Sequence, residues 1–218
     1  SMLNVAAVTS AAGSTWMDSV CVIVMNVCAY TETIFADSTF SGKKVISNKS
    51  ILVAGLYYVN DSLILNNCSV YTAAGAQITI LTNGTLILNN TTIQSCDTMW
   101  RGIEVNNEAR LRVLNNSFIR DANIAIAANA GATITVDSSS ILDCIRGVYN
   151  APVSSGFVNI SLAVSRSVIA KASAAFKPDF IGQPAHGTLP FAGMEVNNIV
   201  MTLGGSTGKV NEFYKLNN

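Results

Sequence analysis

Charge is scarce in this chain: Asp, Glu, Lys and Arg make up only 12% of the residues, about half the usual share. The 13 basic and 13 acidic residues cancel, so no long-range field draws DNA, RNA or anionic lipid, and nucleic-acid binding is not expected. A single histidine, His186, and the lack of any C-x-x-C pair among five cysteines leave no zinc-type ligand set. Long apolar runs are missing as well. The most apolar stretch, Val20 to Val27, is far shorter than the roughly 20 residues of a spanning helix, and Asn26 interrupts it, so membrane insertion is not expected. No basic segment with an apolar core and cleavage site opens the chain, so an exported form would have lost its signal.

What is present is a chain that is 50% hydrophobic, enough for a substantial core, with abundant Asn, Ser and Thr. Its polar surface is therefore largely uncharged. The cysteines read mostly as small buried apolar residues; Cys21 and Cys28 are the one pair placed to bridge in an oxidising compartment, and the sequence leaves open whether they do.

A short pattern recurs five times: an aliphatic residue, a spacer, usually Asn or Ser, a small hydroxyl or thiol residue, a spacer, and another aliphatic residue. It reads Leu65-Asn67-Cys68-Val70, Leu88-Asn90-Thr91-Ile93, Leu114-Asn116-Ser117-Ile119, Val136-Ser138-Ser139-Ile141 and Val164-Arg166-Ser167-Ile169, at steps of 23, 26, 22 and 28 residues. Periods of this size belong to solenoids. Each repeat holds three alternating runs of three to five residues, such as Gly84-Thr85-Leu86-Ile87-Leu88 and Gly102-Ile103-Glu104-Val105, divided by Asn, Gly, Ser and Asp and too short for stable helices. The expected fold is all-β: a right-handed parallel β-helix with three short strands per coil of about 22–28 residues.

In such a stack equivalent residues lie about 4.8 Å apart, so positions 65, 88, 114, 136 and 164 would form one inward column and 70, 93, 119, 141 and 169 a second. Asn67, Asn90 and Asn116 would occupy a corner where left-handed backbone is tolerated and amides bond between coils. Around Leu114 the register is ambiguous. Aligning on Ile119 turns Arg112 inward, whereas aligning on Ala109 turns Leu111 and Val113 inward, so a bulge is expected there. Residues 1–50 lack the pattern and are expected to form an N-terminal cap, with residues 51–218 as the β-helix. From Pro152 to Pro190 the rhythm loosens into an excursion. It resumes at Gly193-Met194-Glu195-Val196-Asn197-Asn198, nearly a copy of Gly102-Ile103-Glu104-Val105-Asn106-Asn107, and the chain is expected to be a fragment of a longer protein.

The run Asp97-Thr98-Met99-Trp100-Arg101-Gly102-Ile103-Glu104-Val105, after a Gly-Thr-Leu-Ile-Leu-Asn-Asn repeat and before Asp121-Ala122-Asn123-Ile124-Ala125-Ile126, resembles the β-helix region of secreted surface proteins of Bacteroidetes. The resemblance covers roughly residues 50–218. It implies a parallel β-helix exported by type IX secretion to the bacterial surface and says almost nothing about ligand.

Trp100 and Arg101 are the candidate ligand-binding pair, because an aromatic face stacks on a sugar ring while a guanidinium reaches hydroxyls or carboxylates. Against this, Trp100 would simply cover the gap where the Cys96 loop rejoins the strand at Ile103. Asp121 and Asp143 fall at one repeat position, two after Ile119 and Ile141. They would repel unless Arg120, Arg146 or a cation such as calcium compensated, or else they are solvated turn residues. His186-Gly187 lacks the neighbours of a hydrolase Gly-His-Gly motif. The expected role is a secreted or cell-surface structural or adhesive scaffold, monomeric, with cell-surface glycans or proteins as partners and no cofactor. The alternative is a polysaccharide lyase or glycoside hydrolase of the pectate-lyase-like kind, whose acidic residues would converge only in the fold.

Overall fold

The computed structural model describes residue 28 and residues 32–34, 38–152, 159–173, 176–180, 192–204 and 211–214. The described residues wind into a parallel β-helix of three sheets. The first sheet stacks eight strands, from Glu32–Ile34 through Ser50–Val53, Ser69–Thr72, Thr92–Ser95, Phe118–Arg120, Ser140–Leu142 and Val168–Ala170 to Glu212–Tyr214. The second stacks seven, from Ser38–Phe40 to Ala192–Glu195, and the third stacks seven, from Lys43–Ser47 to Val200–Gly204. Every pairing is parallel, and each strand lies on the equivalent strand of the preceding coil, as the repeat spacing requires.

The alternating runs fill the interior. In the third sheet Leu65, Leu88, Val113, Val136 and Val164 form one column, with Leu63, Leu86, Leu111, Ile134 and Leu162 beside it. In the first sheet Val70, Ile93, Ile119, Ile141 and Ile169 form another. All of these side chains are buried, each contributing about 1.5–3 kcal/mol of hydrophobic stabilisation. Leu114 departs from the expected column. It pairs with Asn89 and Asp137 and points outward half-buried, while Leu111 and Val113 turn in and Arg112 turns to solvent. The extra residue sits in the corner, where Asn115 and Asn116 both adopt left-handed backbone, with φ of 54° and 59°. A guanidinium at the inward position would have been unpaired in the core, and that cost fixes the choice of register.

Winding also begins earlier than residue 51. Strands Glu32–Ile34, Ser38–Phe40 and Lys43–Ser47 already pair with the next coil, so this part of the presumed cap is itself a coil. The alternation is weak there because Lys44, exposed, takes the position that Leu63 fills one coil later.

The corner between the third and first sheets explains the recurring hydroxyl. Asn48, Asn67, Asn90, Asn116, Ser138 and Arg166 all have φ between 48° and 59°, which turns the chain sharply. The following residue then points its backbone N–H along the stack inside the fold. The N–H of Cys68 donates to Thr91 Oγ1 at 3.2 Å, that of Thr91 to Ser117 Oγ at 3.0 Å, that of Ser117 to Ser139 Oγ at 3.3 Å, and that of Ser139 to Ser167 Oγ at 3.3 Å. The N–H of Ser167 continues to Asn211 Oδ1 at 3.1 Å. Each hydroxyl in turn donates to a carbonyl, as Ser117 Oγ does to Leu114 O at 2.6 Å. Outside this ladder, Asn90 Nδ2 donates to Asn67 Oδ1 at 2.8 Å and Asn67 Nδ2 to Asn48 Oδ1 at 3.3 Å, the expected stacking of corner amides.

The stretch from Pro152 to Pro190 is not one excursion. Strands Ser161–Ser165 and Val168–Ala170 stay in the stack. After Ala170 the chain leaves the stack, and residues 171–173 and 176–180 form a strap. It runs back over the corner between the first and second sheets, against the direction of winding. It meets Asp143, then Asp121, then the Cys96 loop, then Gly75, each from an earlier coil than the last.

Removing one rung of the inner ladder tests its weight. Ser117→Ala leaves the buried N–H of Thr91 without its acceptor and should cost about 1–3 kcal/mol, whereas Asn66→Ala, at a half-buried amide contact, should cost about 0.5 kcal/mol. Urea unfolding midpoints measure both; equal losses would show that the hydroxyl serves packing only.

Candidate functional site

The strap gathers the residues that the sequence singled out. Asp121 and Asp143 adopt left-handed backbone, with φ of 59° and 56°, at the corner beneath it. Neither is a solvated turn residue, for both are buried. Asp143 Oδ2 receives Arg120 Nη2 at 2.8 Å, and its Oδ1 receives the N–H of Ala172 at 2.8 Å, the N–H of Ser173 at 2.7 Å and Ser173 Oγ at 2.8 Å. Burial alone would push this carboxyl up, but the Arg120 guanidinium and the Ser173 and Ala172 donors outweigh it and hold the group below its ordinary value. Asp121 Oδ2 pairs with Lys177 Nζ at 2.8 Å, and the same ammonium donates to the carbonyls of Ser95 at 2.6 Å and Cys96 at 3.2 Å. Arg146, expected near these carboxylates, instead pairs with Glu195 at 2.8 Å on the second sheet. The two like charges of the corner are thus compensated by Arg120 and by a strap lysine that the repeat pattern does not contain. Among the described residues no three His, Cys, Asp or Glu side chains gather as a metal site.

Trp100 is fully buried. Its indole N–H donates to Arg120 O at 2.7 Å and its backbone bridges to Ala122, so it closes the stack where the Cys96 loop rejoins the strand and offers no ring face to a sugar. Phe176 packs with Met99 and Ile145 in a separate small cluster, and Met99 N–H donates to Pro178 O at 2.7 Å. Arg101, next in sequence, points the other way. It is exposed, its Nε donates to Gly75 O at 3.2 Å, and its guanidinium lies 5.2 Å from the centroid of the Phe180 ring.

A disulfide forms between cysteines that the sequence did not pair. Cys28 bonds to Cys96 across 68 residues, with Cα atoms 5.7 Å apart, and Cys21 lies outside the described residues. Cys96 lies in the loop after strand Thr92–Ser95, outside the repeated pattern, which is why no spacing in the repeat pointed to it. Cys68 and Cys144 are buried as expected, and burial pushes the Cys144 thiol up, leaving it unreactive. His186 lies outside the described residues.

Arg101 opens onto a groove of about 430 Å³ on the outer face of the second sheet. Gly102, Ile124 and Ala127 form its floor, Arg101 with Phe180 one wall, and Arg146 another. The Glu104 carboxylate stands inside, held by Gln77 Nε2 at 2.9 Å, Thr79 Oγ1 at 3.3 Å and Asn129 Nδ2 at 3.1 Å. Gly102 is required here: with φ of 114°, an added Cβ would sit 1.6 Å from Ile124 O. The sequence reading found Arg101 but missed Arg146, Glu104, Gln77 and Phe180 as its neighbours. The signal available was the repeated Gly-x-Glu-Val-Asn-Asn element, since Glu104 and Glu195 share one outward row of this sheet through Ala127 and Tyr149.

Compared with known proteins, the chain matches no protein-family model, and no curated protein or solved structure is significantly similar to it.

Because the Asp143 carboxyl is lowered in the fold, its stabilisation is complete above about pH 4, the range of a free carboxyl, and is lost as pH falls through the lower folded value. Asp143→Asn should therefore cost about 2 kcal/mol at pH 7, reduced from the fully buried case because Arg120 is partly exposed, and should flatten the acid limb of stability against pH. Urea midpoints measured from pH 7 to pH 2.5 check both.

Proposed function

We propose that the chain is a β-helix of a secreted or cell-surface protein that serves as a structural or adhesive scaffold, presenting uncharged outer rows to glycans or partner proteins. The observation that carries this reading is the use made of the corner carboxylates. Asp121 and Asp143, the acidic pair from which a lyase or hydrolase of this architecture would have been built, serve instead as anchors for the strap. Outward rows such as Ser50, Ser69, Thr92, Phe118 and Ser140 in the first sheet carry almost no charge, which suits contact with neutral or weakly charged surfaces. The Cys28–Cys96 bridge supports an oxidising compartment, where such a clamp persists.

Two measurements test the reading. Protease added outside intact cells of the native host should cleave the protein; its recovery uncleaved in the cytosolic fraction would overturn the surface assignment. Incubation with acidic and neutral polysaccharides, with and without calcium, should release neither new reducing ends nor unsaturated products. Turnover lost in Asp121→Asn or Asp143→Asn would replace the scaffold by the lyase or hydrolase alternative.

A further inference from the structure

We propose that the groove between Arg101 and Arg146 binds an anionic saccharide: a sugar chain bearing carboxylate or sulfate groups and lying along the solenoid axis. The inference deepens the scaffold reading, on which its biological setting rests, by naming the ligand class and the residues that take it.

Geometry carries it first. The backbone N–H of Ile124 donates to Arg101 O at 3.2 Å, and Ile124 pairs in register with Arg146. The two arginines therefore stand two strands apart on one outward line, roughly 10 Å at the backbone by the strand spacing. Between them Ile124 and Ala127 leave a shallow apolar floor. A sugar ring is suited to this arrangement, with an apolar C–H face that lies on aliphatic carbon and a polar rim that reaches the walls.

Pre-organisation carries it further. Arg101 is fixed by Gly75 O and by the Phe180 ring. Arg146 is fixed by Glu195 at 2.8 Å and lies over the Tyr149 ring at 5.0 Å. Held guanidiniums lose little rotamer freedom on binding, and their planar forks fit carboxylate or sulfate oxygens in pairs. Glu104, clamped by three donors from neighbouring coils, is placed to accept sugar hydroxyls. Arg146 is paired with Glu195, so the two guanidiniums and two carboxylates at the groove balance, and an anion is taken by the exposed Arg101 together with displacement of Glu195 from Arg146. Because the two arginines stand in line along the stack, a linear chain is favoured over a single compact ligand.

Titration calorimetry with a galacturonate hexamer, a heparin-derived sulfated oligosaccharide and a neutral cello-oligosaccharide of similar length tests the proposal. At least one anionic probe should bind at least about tenfold more tightly than the neutral one, and its affinity should fall as salt is raised. Whichever anionic probe binds more tightly identifies the source of the charge. Arg101→Gln and Arg146→Gln should each weaken binding by about tenfold. Arg112→Gln, on the outer face of the third sheet, should change nothing, with circular dichroism confirming the fold of each variant. Equal binding of the neutral probe, no binding of any probe, or equal loss in Arg112→Gln would overturn the site. Failure here with the protein still cleaved at the cell surface would remove the groove and leave the scaffold standing.

Discussion

A parallel coil can turn tightly only if the backbone N–H that its corner aims into the fold finds an acceptor there, because no water reaches it. In this protein the acceptor comes from the next coil. Cys68, Thr91, Ser117, Ser139 and Ser167 form an internal column in which each backbone donates to the hydroxyl above. The requirement is narrow. A larger side chain would not fit beside the aliphatic columns, an apolar one would orphan the N–H below, and a charged one would be buried without a partner. Threonine and serine meet all three demands. Cys68, whose thiol turns to the carbonyls of Ile46 and Asn66, takes the lowest position in the series. At the other end Asn211 supplies a side-chain oxygen from its amide. The left-handed residue before each hydroxyl is the geometric counterpart, and the preference for Asn there follows from its tolerance of that conformation.

The other corners are free to differ because this one is fixed. Between the first and second sheets the chain uses left-handed aspartates, and their carboxylates need compensation once the strap covers them. Arg120 and Lys177 provide it, and in doing so they tie four coils together side by side as well as end to end. Solenoid contacts run mainly between adjacent coils, so among the described residues the lateral strap, like the Cys28–Cys96 bridge, stands out by coupling distant ones. Its end, Phe180, then becomes a wall of the groove, which makes the site a product of two independent devices: the stacking of the second sheet and the return of the strap.

The architecture could be read before any coordinates because its determinants are local and repeated. A period in the twenties, three short alternating runs and an Asn-hydroxyl corner each constrain every coil, and they agree. The register at Leu114 was readable only as a conflict, and the cost of burying Arg112 resolves it in favour of Val113. What the repeat did not disclose is everything that violates it. Lys177, Phe180 and Cys28 lie off the stack, so no period predicts which carboxylate, arginine or thiol they meet. Trp100 illustrates the same limit. An aromatic next to an arginine reads equally as a sugar platform or as a plug, and only its full burial in the main core, with the indole N–H on Arg120 O, decides that it is the plug.

The groove's position on the second sheet follows from the same separation of roles. On the third sheet the outward rows carry side chains at every coil, as in Ser62, Thr85, Arg110, Thr133 and Ser161, so the surface there is filled evenly. On the second sheet Gly102 and Ala127 interrupt the outward rows, and the close approach of Gly102 to Ile124 O admits no Cβ at all. Missing side-chain volume in consecutive coils becomes a hollow, since each coil is held at one strand spacing from its neighbours and cannot collapse to fill it. The rigidity imposed by the inner ladder is therefore what keeps the hollow open. Larger outward residues on either side, Arg101 and Arg146, then define its ends, so that a uniform stack acquires one distinct place by omission of side chains rather than by departure from the fold.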